Sequence, residues 1–454
     1  MRKFLIDFAG AKNNINFEKN SQTHKSMLID FTIGNYLSFK EKKTISFEAT
    51  SITEYKENIA KRLNHKILKS AAIYGANASG KTNLIKGISQ MRRLVIKSFE
   101  QSSSSEFDII PFLLNINSIN NPTFFEISFL IENIKYRYGF EINKTSIVSE
   151  WLFEKSKSNE IPLFVRVADE IEVMDTFSEG KGLEEKTRNN ALFLSVVDQF
   201  NGEISKKIIN WFSNLNSFSG LKHDNLRGFT VKMIDENSSN ISEFLAKLDL
   251  GISEYKIKKE EFDPNKLKSD IPDEIVKQII TDLQGKMLVN IQSMHNVYND
   301  EGNIIKQIEF DLRTQESAGT NKIFDISGPI FDTLNKGSIL IIDELDAKLH
   351  PLMTIAITHL FNSETYNPNN AQLIFATHDT NLLTYGKFRR DQIYFIEKDK
   401  YDCSDIYSLI EYKEDNKKIR KDRSFEKDYI QGRYGAIPFI GNFTKLISSH
   451  GKKS

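Results

Sequence analysis

Apolar and polar positions along the chain change rhythm three times. From Met27 to about Phe140, apolar residues recur at alternate positions, as in Met27-Leu28-Ile29-Asp30-Phe31-Thr32-Ile33, Thr44-Ile45-Ser46-Phe47 and Phe125-Glu126-Ile127-Ser128-Phe129, the period of strands. Ala71-Ala72-Ile73-Tyr74 interrupts that rhythm with an unbroken apolar run suited to a buried strand, and Asn83-Leu84-Ile85-Lys86-Gly87-Ile88 resumes at helical spacing. Between about residues 183 and 290 the pattern turns helical, in Ile204–Leu215 and Ile275–Leu288, with turn-forming Asp263-Pro264-Asn265 between them. Strands return at Ile308-Glu309-Phe310-Asp311-Leu312, Ile339–Ile342 and Gln372–Ala376. This order predicts an α/β core split around a helical lobe.

Composition narrows the class. With 454 residues, 39% of them hydrophobic, the chain can bury a large core as one big or two intimate domains. Sixty-one basic and sixty-one acidic side chains cancel, so no global field draws it to nucleic acid or an anionic membrane. The single Cys403 excludes a disulfide framework within the chain and fits a reducing cytoplasm. No apolar run approaches the roughly 18 residues of a membrane span, and the first residues lack a signal-peptide pattern.

The chemistry begins at Gly75-Ala76-Asn77-Ala78-Ser79-Gly80-Lys81-Thr82, two glycines bracketing four residues before Lys and a hydroxyl. The glycines allow a turn tight enough for successive N–H groups to face phosphate oxygens; Lys81 reaches the β/γ-phosphates, and the Thr82 hydroxyl takes a Mg²⁺ position. Gly75, Asn77, Ala78, Ser79, Gly80, Lys81, Thr82 and Asn83 are the expected nucleotide contacts, with ATP and Mg²⁺ the implied ligands. Ser338-Ile339-Leu340-Ile341-Ile342-Asp343-Glu344 is an apolar strand ending in two acids. Alone, such a pair is more often a helix N-cap or a solvated turn. Beside a phosphate loop it reads as Asp343 holding Mg²⁺ and Glu344 as the base that orients water.

Two further segments set the subclass. Glu316-Ser317-Ala318-Gly319-Thr320-Asn321-Lys322 puts Gly319 before the acidic pair by 343 − 319 = 24 residues, and Ile374-Phe375-Ala376-Thr377-His378-Asp379 puts His378 after Glu344 by 378 − 344 = 34. That order resembles the ABC-type ATPases. The resemblance makes Ser317 and Gly319 a signature pair that closes over a nucleotide held by another protomer, Asp346 to His350 a loop across a dimer interface, and His378 the γ-phosphate switch. Met27 to Lys40, Pro122 to Ile127, Tyr136 to Phe140, Asp391 to Phe395 and Gly432 to Pro438 are together similar to ABC-type AAA ATPases of the abortive-infection and restriction-linked, OLD-like (RloA- and AriA-like) group.

The fold so implied is α/β: an ABC-type P-loop ATPase head, a mixed sheet with N-terminal antiparallel strands, carrying an inserted helical lobe. Its expected divisions are an extension at 1–26, the first part of the head at 27–182, the lobe at 183–300, the rest of the head at 301–445 and a tail at 446–454. The resemblance is to stand-alone members that work beside a separately encoded effector such as a nuclease or toxin, the ATPase subunit of the PARIS phage-defence system included. It implies a homo-oligomer, at least a dimer, hydrolysing ATP to control that effector. Only 454 − 378 = 76 residues follow His378, fewer than a fused Toprim nuclease needs. Asp399, Asp402 and Asp405 read as a solvated edge, and Lys417 to Arg423 as a solvated helix rather than a DNA contact. One departure stands out: the family's coupling glutamine is missing at Ile110-Pro111-Phe112-Leu113-Leu114, and Gln90 and Gln101 lie early. The rival functions are a RecF- or SMC-like repair ATPase clamping DNA and a scaffold that holds ATP with little turnover. A long coiled-coil arm is not expected, because 183–290 shows no sustained heptad.

Overall fold

The computed structural model describes residues 26–437 except 63, 101, 157–158, 237–238, 249, 265–272, 285–286, 415–416 and 419–422. The expected extension, apart from Ser26, and the expected tail lie outside these residues, as do Gln101, Pro438 and most of the basic run after Lys418. The chain divides into two compact units.

The larger unit opens with β1 (Ser26–Gly34), β2 (Lys43–Ser46), β3 (Ile59–Arg62), β4 (His65–Leu68), β5 (Ser70–Tyr74) and helix α1 (Lys81–Lys97). Then come β6 (Thr123–Ile131), β7 (Ile134–Ile142), β8 (Ile147–Lys155), β9 (Ile161–Val167), β10 (Glu170–Val173), α2 (Phe193–Gln199), α3 (Glu203–Ser213) and β11 (Leu215–Ser219). Seven strands form an antiparallel sheet in the order β10-β9-β8-β7-β6-β1-β2. Helix α1 packs against β1, where a Cβ at Gly87 would lie 2.3 Å from Ile33 Cδ1. Its apolar face, Leu84, Ile88, Met91 and Val95, joins one core with Trp211 and Phe212 of α3.

The smaller unit spans 222–332 and 348–350. It holds α4 (Arg227–Asp235), α5 (Ser239–Lys247), β12 (Glu254–Glu261), α6 (Asp273–Leu283), β13 (Met287–Tyr298), β14 (Ile304–Asp311), α7 (Leu312–Gln315) and most of α8 (Ala318–Lys336). Here the structure departs from the helical reading. β12, β13 and β14 form a three-stranded antiparallel sheet, and Ile308 to Asp311, expected in the head, is the end of β14 within it. Glu254 to Glu261 alternates weakly because Lys and Glu fill both faces of a strand whose residues are at most half-buried, so the pattern carried little strand signal. Ile204 to Ser213 is helical as expected, but it is α3 of the larger unit.

The larger unit resumes with β15 (Ile339–Asp343), α9 (Pro351–Asn362), β16 (Gln372–Ala376), α10 (Asn381–Tyr385), β17 (Ile393–Lys398) and β18 (Ser404–Ser408). The second sheet runs β11-β15-β16-β5-β17-β18, parallel except for β17 with β18. Every residue of β5, β15 and β16 is buried, which is why each reads as a continuous apolar run. Gln372 joins the two sheets: its amide donates to the carbonyls of Leu28 (3.1 Å) and Leu68 (3.0 Å), and its oxygen accepts from the Leu28 N–H at 2.7 Å. The basic run expected as a helix starts instead in a short hairpin pairing Lys413-Glu414 with Lys417-Lys418.

Candidate functional site

Parallel pairing brings chain segments far apart in sequence to one sheet edge. Ile73 of β5 sits opposite Ala376 of β16, and Phe375 opposite Ile342 of β15, so the loops after Tyr74, Asp343 and Ala376 leave the sheet together. Backbone bonds hold them there: Thr377 N–H donates to the Ile73 carbonyl (3.1 Å), Leu345 N–H to that of Ala376 (3.1 Å), and Gly220 N–H to that of Asp343 (2.6 Å). Ligands of open α/β sheets bind at this carboxyl edge.

Gly75 to Gly80 curl between β5 and α1, with Asn77 and Ala78 exposed and Ser79 and Gly80 buried. A Cβ at Gly75 would lie 2.3 Å from the Ile396 carbonyl oxygen, and one at Gly80, whose φ is +119°, 2.3 Å from Ser404 Oγ. Both positions therefore exclude a side chain. Gly80 caps α1 without any side-chain bond, and the first turn carries no acid, which leaves that helix end electropositive. The Lys81 side chain folds back over the loop and donates to the carbonyls of Gly75 (2.7 Å) and Ala76 (2.9 Å). Burial lowers its ammonium below the usual lysine value, and Asp343, Glu344 and Asp346 oppose that shift. Asp343 ends β15 and Asp346 accepts from the His378 N–H after β16, so these acids leave the sheet at the same edge as the loop.

Asp343 is buried, and its Oδ1 has no hydrogen-bond partner, nor has the buried Ser79 Oγ. A buried carboxylate oxygen left over, facing a loop whose close approach forbids side chains, suits a divalent cation and polyphosphate. Glu344 stands half-buried at φ 57°, a left-handed turn that redirects the chain immediately after the strand. His378 N–H donates to the Asp346 carboxylate at 3.2 and 3.3 Å. Partial burial, reinforced by Lys81, holds the His378 imidazole below its usual value against the pull of Asp346, Glu344 and Asp343. Next to it Asp379 caps the turn to α10, its Oδ1 accepting from Asn381 N–H at 3.0 Å, while its Oδ2 is unpaired.

The larger unit thus gathers the residues from Gly75 to Asn83 with Asp343, Glu344 and His378. Ser317 and Gly319 belong to the smaller unit. Ser317 caps α8, its Oγ accepting from Thr320 N–H at 3.0 Å, and a Cβ at Gly319 would meet the Lys348 carbonyl at 2.7 Å. Asp405 pairs with Lys43 at 2.6 Å and Asp399 accepts from the Tyr401 and Cys403 N–H groups, so these acids serve an ion pair and a turn. Gln90 is engaged with the Asp108 carbonyl at 3.1 Å, away from the loop. Sequence reasoning missed Ser38 and Ser404, whose hydroxyls touch the phosphate loop's support; Ser38 stood inside the quoted opening strand pair, whereas nothing flagged Ser404.

Comparison with known proteins adds the following. Residues 70–384 match the family described as "AAA domain, putative AbiEii toxin, Type IV TA system". No curated protein matches the chain. Among solved structures it is similar to an SMC head domain from Thermotoga maritima, at 12% identity and a TM-score of 0.39, covering 84% of this chain and 98% of that one. It is likewise similar to an SmcHead bound to the C-winged helix domain of ScpA, at 13% identity and a TM-score of 0.40 over 84% and 97% of the two chains. No helix among the described residues is long and apolar enough to cross a membrane.

Proposed function

The chain belongs to the AAA-domain family described as "AAA domain, putative AbiEii toxin, Type IV TA system", and from that membership we propose that it binds and hydrolyses Mg²⁺-ATP to control a separately encoded effector. The observation that carries this reading is the convergence of the glycine loop, Lys81, the unpaired Asp343 oxygen and His378 on one edge of the parallel sheet. Bound Mg²⁺-ATP supplies the scissile γ-phosphoryl bond and a divalent charge that screens it. Asp343 and the Thr82 hydroxyl would hold the metal, and Lys81 with the loop's N–H groups would hold the phosphates. Glu344 orients the attacking water and accepts its proton. His378, kept neutral, offers an N–H to a phosphate oxygen without adding a charge. Ser317 and Gly319 act from a second protomer, which makes the working form at least a dimer. The effector is a nuclease or toxin, the setting anti-phage abortive infection in the cytoplasm.

Replacing Glu344 by Gln separates binding from chemistry. ATP should stay bound while turnover falls by about a hundredfold or more, the usual worth of a positioned base. Wild-type turnover in that variant would remove Glu344 from the role. Purifying the same variant with ATP from its native gene neighbourhood tests the partner: a stoichiometric nuclease or toxin supports effector control, and DNA without a protein partner moves the reading to a DNA-clamping ATPase.

A further inference from the structure

The phosphate loop is held from behind by two serines that come from opposite ends of the chain. Ser404 Oγ, at the start of β18, lies 2.6 Å from the Ser79 carbonyl and 2.7 Å from Ser38 Oγ, in the turn after β1. Ser38 Oγ accepts from the Asn83 side-chain amide on α1 at 2.8 Å, and Ser404 N–H donates to the Ser38 carbonyl at 2.7 Å. Each hydroxyl has one proton to give. Ser404 is the donor to both neighbours: its one proton is shared between the Ser79 carbonyl, which can only accept, and Ser38 Oγ, which also accepts from Asn83. The result is one network that joins Asn83, Ser38, Ser404 and the Ser79 carbonyl, and its three serines are all buried.

From this geometry we infer that Ser38 and Ser404 are positioning residues that aim the phosphate loop. In a trans peptide the C=O of one residue and the N–H of the next point in opposite directions. Pinning the Ser79 carbonyl inward therefore turns the Gly80 N–H outward, toward the concave side of the loop. The same Ser404 hydroxyl occupies the space that a Gly80 side chain would need. The Asn35 side chain holds this turn in place, accepting from Phe112 N–H and donating to the Ser118 and Asn121 carbonyls. The serines need not touch the nucleotide; they act through the orientation of one peptide group.

The inference rests on the reading that the loop holds ATP phosphates. Ser404→Ala and Ser38→Ala are compared with wild type by calorimetric ATP binding, by ATP-induced thermal shift, and by kcat and KM. Each should weaken ATP binding about tenfold, the worth of one or two lost hydrogen bonds to a binding geometry, raise KM in step and leave kcat within about threefold. Because both substitutions break one network, the Ser38→Ala/Ser404→Ala pair should lose little more than either alone. A lower melting temperature without ATP, combined with wild-type ATP affinity, would reduce the serines to packing and overturn the inference, as would fully additive losses. If Ser404→Ala does not fold, Ser38→Ala carries the test. If wild type itself fails to bind ATP, the underlying reading falls and this one with it.

Discussion

Lys69 shows what a single buried charge does to this core. It sits just before β5, almost fully buried, and its ammonium donates to the Glu57 carbonyl at 2.8 Å. Burial pulls it down from 10.5 to about 8, with Glu364 and Glu57 opposing. The unfolded chain keeps this proton to about pH 10.4, so between that value and about 8 the unfolded state binds more protons and stability rises with pH. The burial cost is therefore complete below pH 8 and fades above it. Lys69→Met, apolar and of similar length, lacks the titration. The variant should be the more stable protein at pH 7, and its advantage should shrink by roughly 2 kcal/mol by pH 9.5. Urea unfolding at both pH values measures this; a constant difference would mean that Lys69 titrates normally.

At the scale of elements, the buried parallel strands were legible and the lobe sheet was not. β5, β15 and β16 are buried on both faces, so their sequences had to be unbroken apolar runs, and the loops that follow carry residue types tied to one chemistry. β12 carries Lys and Glu on both faces and is at most half-buried, so its alternation is weak; in β14 only the end, Ile308 to Asp311, alternates clearly enough to read as a strand. The helix expected at Ile275 to Leu288 is real as α6, but its end had absorbed the start of β13. Contacts across long separations left no trace either: Ser38, Ser404 and Gln372 are ordinary polar residues in the sequence, and Gln372 meets Leu28 through its backbone. Gln372 nevertheless couples two sheets, and Gln372→Leu would leave one N–H and two carbonyls buried without partners. At about 1–3 kcal/mol for each orphaned group, the variant should lose about 3 kcal/mol or more with an unchanged denaturant slope. A loss below about 1 kcal/mol would show that water or a shifted backbone replaces the amide.

For the whole molecule, the decisive question is whether each ATP site draws on one protomer or two. If Ser317 and Gly319 serve the loop of a partner, Lys81→Ala destroys the loop side and Ser317→Arg the signature side of different protomers. A mixed dimer of these two variants then holds one doubly damaged site and one intact site. After free exchange, half the dimers are mixed and half the sites in each are intact, so about a quarter of the wild-type capacity should return. Sites contained within a single protomer would return nothing, because every protomer in the mixture carries one lesion. Each variant alone should be inactive, which makes the recovery readable against a zero background. ATP hydrolysis by the mixture measures it. Recovery that grows with mixing time and reaches a plateau would also give the rate at which protomers exchange. Because the reading makes ATP the ligand that joins two protomers, excess ATP should slow that exchange by mass action. Absence of recovery, with exchange verified by a tagged partner, would confine the site to one protomer and leave Ser317 as the cap of α8.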